Sequence, residues 1–263
     1  MRLKRVLCVV SLAMLVMPVC GQETALAWNE LGNFLYDQGM YSEAFQAYRK
    51  AVDLDPSLLS VYYLKAREQG MVLMESGSMY PNLRPLDVVT IEDISTSKVI
   101  TWEDGENIGY SSFNKSGDVI CYRPYGKEQL SVTDVVDHLV ADVPYPPDKA
   151  TPVIHRAMRW VEEGEPMWEG GPAAPFAGYI TKGDNNSEID QNAGQLLGVV
   201  KEEYFNEQMA KGMIEEVGNG TYLDHETGYV FISRGNETYV IFGINYLMPV
   251  RDGWIIGVVR NVL

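Results

Sequence analysis

The stretch Met71-Val72-Leu73-Met74-Glu75-Ser76-Gly77-Ser78-Met79-Tyr80-Pro81 decides the fold, because the hydrophobic period of the chain changes there. Up to Gly70 the apolar residues recur at helical spacing. Met71 to Met74 then forms an unbroken apolar run closed by turn residues, which reads as a short strand. A helical front therefore gives way to a strand-rich body, and the strand delivers Ser76-Gly77-Ser78 to its exit. Alone, a serine-glycine turn is ordinary turn chemistry. Its meaning depends on what the rest of the chain can bring to it.

On the N-terminal side, Trp28-x-x-Leu31-Gly32 is followed by Ala44, Tyr48, Ala51 and Pro56. Small residues at Gly32 and Ala44 allow two antiparallel helices to approach closely, Gly39 turns the chain between them, and Pro56 opens the next helix. This pattern, over about Ala25 to Leu58, resembles a tetratricopeptide repeat, with Leu35 and Tyr48 where tyrosine and phenylalanine are usual. Pro56 to Gln69 supplies a third helix with Leu59, Tyr62, Tyr63 and Ala66 on one side. A lone repeat needs support, so residues 25–69 serve either as a brace for the body or as a docking surface for a protein partner.

On the C-terminal side come Asp87-Val88-Val89, Ser116-Gly117-Asp118-Val119-Ile120-Cys121-Tyr122, Thr151-Pro152-Val153-Ile154-His155-Arg156 and Ile180-Thr181-Lys182-Gly183-Asp184-Asn185-Asn186, with Asp190 six positions after Asp184. A serine hydroxyl becomes a nucleophile only when a base takes its proton. His155 has the side chain for that near neutral pH. A carboxylate must then fix the imidazole tautomer, and Asp184 and Asp190 are both candidates. Lys182 is the rival base. His138 and His225 lack comparable surroundings.

These segments, in this order from about Val72 to Asp190, resemble the signature set of the archaeal and endoplasmic-reticulum type signal peptidase I family, with an acidic and aromatic insertion at Glu162 to Ala177. The resemblance implies Ser78 as nucleophile, His155 as base, Asp190 as the triad acid and Asp184 as a supporting carboxylate. It further implies an oxyanion site made by the Ser78 N–H and the Ser76 hydroxyl, with Lys182 and Gly183 as supporting loop residues. Related bacterial enzymes use lysine as base; histidine at position 155 separates the branches. Tyr80 and Arg84-Pro85-Leu86-Asp87 depart from the usual pattern after the serine.

Composition narrows the partners. Acidic residues outnumber basic ones 36 to 21, a formal charge of −15, so nucleic acid is not an expected partner. Residues 1–21 have a basic start followed by the apolar run Val6 to Cys20, a secretory leader pattern that is either removed near Gly21 or kept as an anchor, giving membrane association through residues 6–20. Removal would take Cys8 and Cys20 and leave Cys121, in an apolar run, as a buried structural thiol. Sequons at Asn114, Asn185, Asn219 and Asn236 agree with a surface location.

The expectation is thus an α+β chain with three parts: 1–21 as leader or anchor, 22–70 as the tetratricopeptide-like helical unit, and 71–263 as a β-rich signal peptidase-like catalytic domain. Strands are expected near 72–75, 86–91, 98–102, 118–122, 152–160, 177–182, 228–233, 238–243 and 254–259, with a helix over Glu202 to Glu216. The Gly-Pro-rich stretch Gly170 to Pro175, beside Trp160 and Trp168, reads as an exposed loop. The expected activity is a cofactor-free and metal-free serine endopeptidase acting on exported polypeptides outside the cytoplasm. The alternatives are a catalytically decayed binding module on the same fold and an envelope structural component.

Overall fold

The computed structural model describes residues 24–94, 98–141, 143–144, 146–218, 220–224, 228–235 and 237–263. The expected leader or anchor at 1–21, His225 and the sequons at Asn219 and Asn236 lie outside the described residues. The chain divides into two compact units. Among the described residues, the first comprises those up to Leu73 with Leu86–Val89 and Val262–Leu263, and the second those of Met74–Pro85 and Thr90–Asn261.

In the first unit, α1 (Ala25–Asp37) begins at Thr24, whose hydroxyl accepts from the Ala27 N–H at 3.2 Å. α2 (Tyr41–Leu54) packs back on it because Gly32 has no side chain: a Cβ there would stand 2.5 Å from the Tyr48 ring. Tyr48, Phe45 and Tyr62 form a buried aromatic cluster with ring centroids 5.9–6.3 Å apart. Pro56–Leu58 is a single 3₁₀ turn capped by Asp55, and α3 (Leu59–Glu68) follows, so the expected third helix is split at its start. β1 (Val72–Leu73) pairs antiparallel with Val88–Val89, the opening of β2 (Val88–Glu92). Asp87 just before it is bound by Arg49 at 2.7 Å, and Leu86 O accepts from Tyr62 OH at 2.7 Å.

The second unit contains, in order, α4 (Trp102–Ile108), β3 (Ser111–Ser112), β4 (Lys115–Ser116), β5 (Val119–Tyr122), β6 (Glu128–Gln129), α5 (Val132–Ala141), β7 (Lys149–Ala150), β8 (Val153–Val161) and β9 (Gly178–Lys182). β10 (Gly194–Val200), α6 (Glu202–Ala210), β11 (Ile214–Gly218), β12 (Thr221–Asp224), β13 (Val230–Arg234), β14 (Glu237–Gly243) and β15 (Ile255–Val262) complete it. One sheet runs β2-β15-β5-β8-β9 and another runs β10-β14-β13-β12-β11. Ile120, Tyr122, Ala157, Tyr179, Val250 and Val258 form the core against the first. On the second, Leu223, Val230 and Ile232 pack with Tyr125 and Met248, while Phe231 on the opposite face packs with Phe205 of α6. Helices at the front followed by a strand-rich body make the chain α+β.

Three expectations are corrected. Residues 98–102 are not a strand: Ile100 exchanges hydrogen bonds with Asp118, its N–H reaching the Asp118 carboxylate at 2.8 Å, and Thr101 caps α4 through the Asp104 N–H at 3.1 Å. The helix expected over Glu202 to Glu216 stops at Ala210, and Gly212 with φ +70° precedes the turn into β11. The Gly170 to Pro175 stretch is not wholly exposed, since Ala174 and Met167 are buried together against Val161 and Ile180. Among the described residues no helix is long and apolar enough to cross a membrane. Cys121 is buried in β5.

Gly117, at the head of β5, has φ +75°, and a Cβ there would meet the Trp102 N at 2.5 Å and the Thr101 carbonyl carbon at 2.6 Å. Gly117→Ala should therefore cost about 2–3 kcal/mol through strain and overlap together. Gly253→Ala, with nothing within 4 Å of the added carbon, should be near neutral. Urea denaturation of both variants checks the contrast, and equal midpoints would remove the proposed close approach.

Candidate functional site

β8 lies between β5 and β9, and its pairing register fixes what faces what. Ile120 pairs with His155 and Tyr122 with Val153 across β5/β8, and Ala157 pairs with Thr181 across β8/β9. Paired residues share a face and alternate residues return to it, so His155, Tyr122 and Thr181 project from one face of the sheet. Arg156 pairs with Lys182 and both project from the other.

On the first face stands Asp190, 2% exposed. One of its oxygens, Oδ2, receives three contacts: His155 Nδ1 at 2.7 Å, the Tyr122 hydroxyl at 2.9 Å and the Thr181 hydroxyl at 2.6 Å. Thr181 and Asp190 are joined again through the backbone, Asp190 N donating to Thr181 O at 2.8 Å. Gln191 extends the arrangement, its side-chain carbonyl accepting from Thr181 N and its amide nitrogen donating to Met248 O. A buried carboxylate is costly unless its lone pairs are occupied; here hydroxyl and imidazole donors occupy them. His155 is itself 2% exposed, and a carboxylate on Nδ1 selects the tautomer that leaves Nε2 to act as acceptor.

On the second face Arg156, 1% exposed, makes a forked pair with Asp184, Nε to Oδ1 and Nη2 to Oδ2, each at 2.8 Å. Its remaining nitrogen Nη1 donates to the carbonyls of Ser112, Lys115, Ser116 and Gly117 at 2.8–3.3 Å. Asn82 donates to Asp184 Oδ2 at 2.8 Å. Burial works to raise the Asp184 carboxyl, but the Arg156 fork, the Asn82 amide and Lys115 outweigh it and hold the group below its ordinary value.

The serine turn is seated on the loop that follows β9. Ser78 O accepts from Asn185 N at 2.7 Å, Gly77 O accepts from the Asn185 side-chain amide at 3.1 Å, and Asp184 N reaches the Met79 sulfur at 3.3 Å. Gly183 is required for this seating, since a Cβ there would fall 2.7 Å from Ser78 O. Met79 is fully buried and Ser78 partly so. Ser76 Oγ lies 3.2 Å from Ser78 Oγ and 3.5 Å from Ser78 N. The turn is thus attached to the loop that leaves β9 beside Arg156, one residue along β8 from His155.

Of the residues singled out from the sequence, His155 and Asp190 are in direct contact, Ser76 and Ser78 are side by side, and Gly183 bears on Ser78. Asp184 meets Arg156 rather than His155, so of the two candidate carboxylates only Asp190 touches the imidazole. Lys182 Nζ donates to Ser187 O at 2.9 Å, within its own loop. His138 lies elsewhere, its Nδ1 against Val143 O at 2.9 Å. Tyr122, Thr181, Arg156 and Asn82 join these residues without a motif that marks them. The signal for Tyr122 and Thr181 is the shared face, which needs the register of three strands and is not readable from spacing along one.

Comparison with known proteins adds to the helical front only. Residues 25–58 match the family model of the tetratricopeptide repeat, the span of α1, α2 and the following 3₁₀ turn. No curated protein and no solved structure matches the chain.

Proposed function

We propose that the chain is a serine endopeptidase of signal peptidase I type that cleaves exported polypeptides or their leader peptides. The observation that carries this reading is the buried His155–Asp190 contact of 2.7 Å in the same unit as a serine turn seated on the 183–185 loop. In the proposed reaction, Ser78 Oγ attacks the scissile carbonyl while His155 Nε2 takes its proton, then returns it to the leaving amine. Asp190 holds the ring and stabilises the imidazolium. The Ser78 N–H and the Ser76 hydroxyl receive the developing oxyanion. Asp184 supports from the opposite face by holding Arg156, and Lys182 and Gly183 shape the loop against the serine. Substrate binding would bring Ser78 Oγ within hydrogen-bond reach of Nε2, as catalytic contacts tighten in the complex.

A second reading is favoured by the tetratricopeptide match, since such repeats generally mediate protein–protein contacts. In it, residues 25–69 dock a partner and the peptidase fold serves as a binding module without turnover. Export, with or without retention at the membrane through residues 6–20, belongs to both readings.

Labelling with a fluorophosphonate separates them. The peptidase reading expects a covalent adduct at Ser78 that requires His155, and loss of about 10⁴-fold or more in cleavage of an exported reporter in Ser78→Ala, His155→Ala and Asp190→Ala. Absence of any adduct on folded protein would favour the binding module. Lys182→Ala retaining less activity than His155→Ala would reassign the base.

The two aspartates should also separate by stability. Asp184→Ala strands a buried guanidinium and should cost about 3 kcal/mol near neutral pH. Because the Asp184 carboxyl is held below its ordinary value, its contribution is full above about pH 4 and is lost as pH falls through the folded value. The stability gap between wild type and Asp184→Asn should accordingly hold from pH 7 to about pH 4 and narrow below it, measured by urea denaturation from pH 7 to about pH 2. A gap that stays constant over that range would contradict the assignment.

A further inference from the structure

We infer that Thr181 and Tyr122, the first oriented by Gln191, are positioning residues that fix the Asp190 carboxylate in one rotamer against His155. The rate of serine attack then depends on them, whereas binding at the site does not. The inference rests on the peptidase reading of the site and deepens it.

Asp190 stands in the loop that follows β9 and not on a strand, so its placement has to come from its contacts. β9 is the edge strand of its sheet, and the main chain of Thr181 is met by two residues of that loop. Asp190 N donates to Thr181 O at 2.8 Å, and Thr181 N donates to the Gln191 side-chain carbonyl at 3.0 Å. Gln191 is fully buried, and its amide nitrogen donates onward to Met248 O at 3.2 Å. With a main-chain donor on its oxygen and a main-chain acceptor on its nitrogen, this amide has one orientation only.

That orientation sets the direction of the next bond. Gln191 Nε2 also reaches Thr181 Oγ1 as a donor at 3.4 Å, which leaves the Thr181 hydroxyl proton for Asp190 Oδ2 at 2.6 Å. Asp190 is therefore tied to Thr181 twice, by main chain and by side chain. The Tyr122 hydroxyl donates to the same oxygen at 2.9 Å from β5, and His155 Nδ1 meets it at 2.7 Å from β8, the strand between them. Donors fixed on one oxygen from both flanking strands hold Asp190 to a single rotamer. A triad acid works by holding the imidazole, and a displacement of about 1 Å at such a group can cost about 100-fold in rate. Thr181 and Tyr122 belong neither to the serine turn nor to its seat on the 183–185 loop, so affinity for a ligand there has no cause to follow them.

The test is labelling of full-length protein with a fluorophosphonate over a range of concentrations at a single pH, which separates the maximal rate of inactivation from the half-saturating concentration. Thr181→Val and Tyr122→Phe each remove one hydroxyl with little change of shape. Each should lower the maximal rate about 10- to 100-fold and leave the half-saturating concentration unchanged. Thr181→Ser, which keeps the hydroxyl, should recover most of the loss. Tyr179→Phe removes a hydroxyl of β9 that meets Asp252 instead and should label at the wild-type rate. General loosening of the fold lowers the fraction of protein that labels, not the rate at which the rest labels. A second readout is the His155 Nδ1 proton by NMR, assigned by its loss in His155→Gln, which should broaden in Thr181→Val as Asp190 gains further rotamers. Unchanged maximal rates in folded Thr181→Val and Tyr122→Phe, or a loss of labelled fraction alone, overturn the inference. A resonance that broadens in Thr181→Val although the wild type never labels sustains the positioning and overturns the peptidase reading beneath it.

Discussion

Strand register is the constraint on which the rest of this molecule depends. His155 and Arg156 are neighbours in β8, and because side chains alternate, each is committed to a different face of one sheet. A slip of one residue against β5 and β9 would exchange them, setting a guanidinium against Asp190 and an imidazole against Asp184. The observed register prevents this, and the two aspartates six positions apart divide accordingly. Asp190 takes the histidine and Asp184 takes the arginine.

The division gives each face a different task. Behind the sheet, Arg156 binds one carboxylate and four carbonyls, joining the β3–β4 hairpin and the head of β5 to the loop after β9. That loop then supports the serine turn through Asn185 and the absent side chain of Gly183. In front, a buried carboxylate is satisfied by an imidazole and two hydroxyls from adjacent strands. The Arg156–Asp184 network on one face and the His155–Asp190 contact on the other are thus tied together through β8 and the loop that follows β9.

Much of this was legible in the sequence, and the failures have physical causes. The change of period at Met71 marked the end of the helical front, and Gly32, Ala44 and Gly39 marked its helices, because helix packing leaves small residues at fixed intervals. The serine turn, His155 and both aspartates stand out in the sequence as chemistry-bearing side chains. The partition between the aspartates was not, since it depends on which face each strand neighbour occupies. Residues 98–102 misled because Val99 and Ile100 look like a strand, whereas the Asp118 carboxylate takes the place of a strand partner and Thr101 starts a helix. α5 is signalled in the sequence by Ser131 and Asp134, which form a reciprocal cap, Asp134 N donating to Ser131 Oγ and Ser131 N to the Asp134 carboxylate. Tyr122 was hidden in an apolar run, where nothing local distinguishes a core tyrosine from one aimed at a carboxylate.

We propose that Ser78 and the His155–Asp190 pair act as one unit. The most direct measurement is a crystal structure of the protein with an arylphosphonate or peptide aldehyde bound. The expected result is the inhibitor bonded to Ser78 Oγ, with that oxygen within about 3.2 Å of His155 Nε2 and its oxyanion on the Ser78 N–H. An inhibitor bonded elsewhere, or a Ser78 Oγ that stays beyond reach of Nε2 in the complex, would contradict it.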